Sequence, residues 1–200
     1  LLENQYLISQ LRVKEITDIN KRKELDAKIL SIMSSNVKPG IFIDIGTYYG
    51  KSAARMSLNS PRSKIYTINI LPEEFNNAGR NTTAKLSKKQ IGSFYRKRGF
   101  NNIHQIYANT INWNPNPKIR NVKLAYIDGC HDSNFVFSDT KLILERLDET
   151  GFILWHDFNP ELINKYEWVN AVTKGISKLY KESFLKGPMF HVKNSFIGIW

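Results

Sequence analysis

Four residues in the second half of the chain have types that can move a proton or hold a cation. Asp128 precedes His131 by three positions in the run Tyr126-Ile127-Asp128-Gly129-Cys130-His131, and His156 and Asp157 close a second run, Gly151-Phe152-Ile153-Leu154-Trp155-His156-Asp157. Both aspartates follow apolar runs that read as strands, which places them on the sheet edge where open α/β folds bind ligands. Two carboxylates on neighbouring strands can share a hard cation such as Mg²⁺, which prefers oxygen and keeps several waters. Such an ion lowers the pKa of a hydroxyl it touches. His131 is a candidate general base, because an imidazole titrates near working pH. Plainer roles stand beside these: Asp128 capping a loop, His131 opening a helix, and His156 orienting its loop. Asp139 is spaced to anchor the His131 loop rather than to react, and Cys130 reads as a small packed residue. Trp155, Phe158 and Trp168 either wall a pocket or belong to the core.

A second feature is Asp44-Ile45-Gly46-Thr47-Tyr48-Tyr49-Gly50-Lys51-Ser52, an acid at a strand end followed by two glycines. Glycines at a strand-to-helix turn let backbone approach a ligand closely, and the next helix offers free N–H groups. The spacing is neither the G-x-x-x-x-G-K-[ST] phosphate loop nor the dinucleotide G-x-G-x-x-G pattern. It suits a ligand with a cationic or polar amino-acid end facing Asp44, directly or through water. A merely structural turn is the other reading.

Periodicity supplies the elements that must carry these residues. Helical spacing covers residues 5–13 and 21–33, split near Asp18 and Asn20. Strands are expected at 41–45, 64–70, 103–107, 122–127 and 151–155, and helices at 51–58, 133–147 and 168–180. Ser87-Lys88-Lys89-Gln90 is a capping box opening a further helix that stops at Gly99. Residues 71–86 read as loop, and the tail as a hairpin of strands 189–192 and 195–200. Strand–helix alternation argues a mostly parallel sheet with helices on both faces, and the closing hairpin makes the last strand antiparallel. The chain divides into an N-terminal helical extension, residues 1–37, and one α/β domain, residues 38–200.

The 200-residue chain carries a formal net charge of +11, distributed unevenly. From Phe75 to Ile127 there is no acid but ten lysines and arginines. A field of one sign attracts anionic partners, whether phosphorylated small molecules, acidic glycans, nucleic acid or a membrane surface; a solvated lysine-rich face is the alternative. Nucleic acid is not favoured, since neither an RRM-like aromatic motif nor zinc-finger spacing occurs. One cysteine excludes a disulfide scaffold and a multi-cysteine metal site. No apolar run approaches the ~18–20 residues of a membrane span, and a cytoplasmic location is the expectation.

The residues 43–52 resemble motif I of class I S-adenosylmethionine-dependent methyltransferases. The 126–131 run with Asp139 is similar to the IDG-x-H … D block of one branch, and residues 151–157 resemble its GG-x-x-x-x-HD strand, with Thr150 where the first glycine would be. That branch includes small-molecule and sugar O-methyltransferases, some metal-dependent. The resemblance implies a Rossmann-like, seven-stranded sheet and S-adenosylmethionine as cofactor, with Asp44, Gly46, Thr47, Gly50 and Ser52 around its methionine end. The place of the acid that meets the ribose hydroxyls holds Asn69, and the place of the aspartate near the adenine amine holds Asn109. An amide keeps an acceptor and adds donors but gives up charge assistance. The resemblance further implies His131 as base and Asp128 and Asp157 as ligands of a metal such as Mg²⁺; where those enzymes carry a third acid this chain has His156. The expected activity is methyl transfer to a hydroxyl of a sugar or other small molecule. The alternative is a catalytically silent methyltransferase-like module that binds an anionic partner or a protein. An RNA methyltransferase rests on the basic stretch alone and lacks a Lys-Asp-Lys-Glu arrangement.

Overall fold

Short apolar runs, such as Phe42-Ile43 and Leu124-Ala125-Tyr126, are buried on both faces, which is what a central parallel strand requires. The computed structural model describes residues 19–200 except 78, 81, 83 and 84. The helix expected over residues 5–13 and the break at Asp18 lie outside them. In order, the elements are α1 (Ile19–Asn36), β1 (Ile41–Ile45), α2 (Lys51–Asn59), β2 (Lys64–Asn69), a 3₁₀ turn (Pro72–Asn77), α3 (Ser93–Arg96), β3 (Ile103–Tyr107), β4 (Val122–Ile127), α4 (Ser133–Leu144), β5 (Leu147–Trp155), α5 (Glu167–Lys181), β6 (Phe190–His191) and β7 (Gly198–Ile199).

The seven strands order β3-β2-β1-β4-β5-β7-β6, with β7 antiparallel to both of its neighbours and all other pairs parallel. Helices cover both faces. On one, Leu25, Ile29 and Met33 of α1 and Met56 of α2 pack with Phe42, Ile65, Leu124 and Leu154. On the other, Val136 and Ile143 of α4 and Val172 and Ile176 of α5 pack with Ile43, Ile68, Ala125 and Ile153. The chain leaves β1 towards β2 and β3, then returns to place β4 on β1's other side. That reversal opens a crevice at the carboxyl ends of β1 and β4.

The helix expected over residues 133–147 stops at Leu144, and three further elements differ from the expectation, each for a local reason. Half of the capping box forms: Ser87 N–H donates to Gln90 Oε1 at 2.9 Å, while the Ser87 hydroxyl donates to the same oxygen at 2.8 Å and Gln90 N–H bonds the Ser87 carbonyl instead. The helix nevertheless shrinks to residues 93–96, because Gly92 adopts φ 69° and its N–H donates to Tyr48 O at 2.8 Å. The strand expected from Gly151 begins at Leu147, which pairs with Val122 before an irregularity in the ladder, and Lys123 meets Asp148 at 2.7 Å there. The closing strands are two residues each, since Ser195 takes over the turn: its hydroxyl donates to Val192 O at 2.6 Å and accepts from Ile197 N–H at 3.0 Å.

Phe42 is fully buried between α1, α2 and the sheet. Phe42→Ala should lower stability by about 3–5 kcal/mol in urea unfolding followed by circular dichroism; a loss under about 1 kcal/mol would contradict this packing.

Candidate active site

The site is set by backbone bonds that prolong the ladders past the strand ends. Asp128 N–H donates to Ile45 O at 2.9 Å and His156 N–H to Ile127 O at 3.0 Å, so the loops after β4 and β5 start in register. Gly46 fits beneath them: with φ 102°, a Cβ there would lie 2.0 Å from Asp128 O, so only glycine allows this approach. Gly50, at φ 87°, likewise leaves room for the Tyr95 ring.

Asp44 is fully buried at the end of β1, under the glycine turn. A chain of hydrogen bonds ends on it. Tyr95 OH donates to Gln105 Oε1 at 2.8 Å, and Gln105 Nε2 donates to Thr47 Oγ1 at 3.0 Å. Thr47 and Thr67 hydroxyls are 2.7 Å apart, and Thr67 donates to Asp44 Oδ2 at 2.6 Å. Since Thr67 gives its one proton to Asp44, Thr47 must donate to Thr67. Asp44 Oδ1 has no partner. Burial pushes the Asp44 pKa up to about 7, against the pull of Thr67 and, more weakly, Ser52.

A cleft open to solvent lies beside this turn, enclosing about 690 Å³ when its open side is included. Gly46, Asn69, Asn109 and Asp128 line it, with Ile45, Ile68, Phe75, Leu86 and Phe135 as apolar wall. Asp44, Thr47, Gly50 and Ser52 do not line it. Asn69 Oδ1 accepts from Tyr48 N–H at 3.0 Å while its Nδ2 donates to Ile70 O at 2.8 Å. Asn109 Oδ1 accepts from Ile111 N–H at 3.3 Å. Each asparagine therefore shapes a turn and faces the cleft as well. Asp139 lies buried at the cleft floor with Oδ1 unpartnered, and burial pushes its pKa up to about 7 against a bond from Thr110.

At the mouth, Asp128, His131, His156 and Asp157 come together. His131 Nε2 is 3.0 Å from Asp157 Oδ2 and 3.5 Å from Asp128 Oδ1. His156 Nδ1 is 2.9 Å from Asp157 Oδ2 and 3.2 Å from Asp128 Oδ1. Burial would lower the His131 pKa, but its hydrogen bonds to Asp128 and Asp157 raise it to about 10. For His156, burial is likewise outweighed, chiefly by the Asp128 charge, and its pKa lies well above the usual value. Burial would raise Asp128 and Asp157, yet the His156 charge and the bonds from both imidazoles hold them down, Asp157 most. Asp157 sits at φ 57°, a left-handed conformation uncommon for a side-chain-bearing residue and often found at functional sites.

Two participants were not anticipated from the sequence. Asp26 of α1, 3% exposed, faces His156 Nε2 at 3.2 Å and accepts from Phe196 N–H at 2.8 Å. Its signal was a pair of charges, Arg22 and Asp26, interrupting the apolar stripe of α1. Gln105 carried no such signal. Trp168 Nε1 donates to Asp157 Oδ1 at 3.1 Å, whereas Trp155 and Phe158 belong to the core. Cys130 is buried in the cleft wall, where burial pushes its thiol pKa up.

The family profile described as a methyltransferase domain matches residues 43–158, and the chain belongs to that family. Its fold is that of the class I S-adenosylmethionine-dependent methyltransferases. It is similar to a Podospora anserina methyltransferase solved with S-adenosylhomocysteine bound (14% identity, TM-score 0.60, covering 99% of this chain and 84% of that one). It is also similar to Aeropyrum pernix fibrillarin with natively bound S-adenosylmethionine (15% identity, TM-score 0.55, 88% and 72%). A third similar structure is the N-methyltransferase NodS of Bradyrhizobium japonicum (11% identity, TM-score 0.58, 91% and 96%). No curated protein gives a significant match.

An unfolded aspartate ionises near 3.8, whereas folded Asp44 keeps its proton to about 7. Between these values the folded state binds the extra proton, so this group's contribution to stability falls as pH rises. Asp44→Asn should therefore reduce the loss of melting temperature between about pH 5 and about pH 8. An unchanged loss in thermal melts would contradict the assignment.

Proposed function

We propose that the protein transfers a methyl group from S-adenosylmethionine to a hydroxyl of a sugar or other small molecule. What supports this most is the position of Asp128, which lines the cleft and belongs to the carboxylate–imidazole cluster at its mouth. A cofactor in the cleft and a proton acceptor in the cluster thus share one wall.

The residues fit such a cofactor. Gly46 leaves the space a side chain would fill, and the orphan Oδ1 of buried Asp44 is an acceptor for a cationic amino-acid end, through a water. Thr47, Gly50 and Ser52 hold the turn and the acid in place. Asn69 and Asn109, which line the cleft with hydrogen-bonding capacity left, would meet the ribose and the adenine. S-adenosylmethionine supplies a sulfonium methyl, whose S–C bond breaks as an O–C bond forms. The acceptor's hydroxyl proton goes to His131 in its neutral form, and Asp128 and Asp157 stabilise the imidazolium that results. The same carboxylates keep that neutral form a minority at pH 7. Positioning accounts for much of the remaining acceleration.

Asp128 and Asp157 are also the proposed metal pair, but two imidazoles join them. Mg²⁺ binds oxygen and water in near-octahedral geometry, and two of the four donors here are nitrogen. The set does not fit Mg²⁺, and no step is assigned to it. The basic stretch from Arg80 to Lys89 flanks the cleft-lining residues Thr82 and Leu86, which suits an acceptor carrying negative charge. Among the described residues no helix is long and apolar enough to cross a membrane, and with its single, buried cysteine we place the protein in the cytoplasm.

The silent-module reading draws on the two asparagines, both committed to turns. Calorimetry with S-adenosylhomocysteine separates the two: binding with micromolar affinity supports the enzyme, and no binding supports the silent module. His131→Ala should lower turnover about 10²–10⁴-fold with S-adenosylmethionine affinity nearly unchanged; equal losses in both would make His131 a binding residue.

A further inference from the structure

The donors at the cleft mouth are of two kinds, and the mixture selects among cations. Asp128 Oδ1, His131 Nε2, Asp157 Oδ2 and His156 Nδ1 form a ring whose neighbouring atoms lie 3.5, 3.0, 2.9 and 3.2 Å apart. All four ligand atoms lie within 4.8 Å of one another. A divalent ion held tetrahedrally through N and O at about 2.0–2.2 Å sets neighbouring donors roughly 3.3–3.6 Å apart, so the ring admits an ion once its shorter edges widen by about half an ångström. Imidazole nitrogen favours first-row ions of the cobalt-to-zinc kind, whereas carboxylate and water favour magnesium.

The outer contacts turn the right atoms inward. Asp26 Oδ2 faces His156 Nε2 at 3.2 Å and so directs Nδ1 at the ring. Asp26 is itself fixed by Phe196 N–H at 2.8 Å, and Trp168 Nε1 engages Asp157 Oδ1, leaving Oδ2 for the ring. A carboxylate behind a ligating histidine sets its orientation and raises its basicity. We infer that Asp128, His131, His156 and Asp157 bind a first-row transition cation such as Zn²⁺ or Co²⁺ in preference to Mg²⁺, with Asp26 as the positioning residue for His156. On binding, the ion replaces the protons that the imidazoles share with the carboxylates, and these leave to solvent. The inference rests on the proposed function for the site's place beside the methyl acceptor and concerns the ion-loaded state, in which His131 Nε2 is a ligand; the proton transfer to His131 belongs to the ion-free state.

The test uses the full chain, freed of metal by a chelator and titrated with Co²⁺ under visible spectroscopy. One equivalent should produce d–d bands, Zn²⁺ should abolish them, and about a hundredfold excess of Mg²⁺ should not. Asp26→Asn should weaken Co²⁺ binding about 10–100-fold. If that variant does not fold, His131→Ala must weaken it at least about tenfold. Absence of bands, displacement by equimolar Mg²⁺, or unchanged affinity in the variant used overturns the inference. Calorimetry with S-adenosylhomocysteine on the same sample separates the failures: binding without cobalt bands removes the metal site alone, and loss of both removes the methyltransferase reading too.

Discussion

Two backbone hydrogen bonds just beyond the sheet, Asp128 N–H to Ile45 O and His156 N–H to Ile127 O, determine where the reactive side chains go. They carry the parallel register of β1, β4 and β5 into the following loops. Asp128 and the His156–Asp157 pair, far apart in sequence, then emerge side by side. The contact of Gly46 with the Asp128 carbonyl locks the same junction from the other side. A side chain at Gly46 would push the β4 loop away from β1, taking both the cleft wall and the cluster with it.

At that junction lie two polar systems with opposite electrostatics, the first buried and the second half-buried. Around Asp44 a directed chain of neutral donors, Tyr95 to Gln105 to Thr47 to Thr67, ends on an acid that burial keeps partly protonated. Around Asp128 and Asp157 the charge is matched instead by two imidazoles, which holds the carboxylates ionised. The first system leaves one acceptor unpartnered, since Asp44 Oδ1 is buried without a hydrogen bond. The second is already satisfied internally, and a change in its proton or cation content alters the balance of the whole ring.

The strand pattern was legible because central parallel strands leave little choice of residue, and all seven strands were expected in their order. The elements that shifted did so where one residue overrode the local pattern: Gly92 held back a helix until Ser93, and Ser195 shortened the hairpin. Motif I and the Asp128, His131 and Asp157 positions could be read because they follow strands directly. Asp26 could not, since it arrives from a helix far earlier in the chain and its partner, His156, becomes visible only in three dimensions. Asn69 and Asn109 were read as either turn residues or ligand contacts, and the fold lets each hold its turn while facing the cleft.

The account centres on a cofactor lying across the carboxyl ends of β1 and β4 with its sulfur towards Asp128 and His131. A crystal structure of the protein with S-adenosylhomocysteine tests this directly. The expected density runs over Gly46, with the amino-acid end near Asp44, the adenosine between Asn69 and Asn109, and the sulfur facing the cluster. A ligand bound elsewhere, or one in the cleft with its sulfur turned away from Asp128, would contradict it.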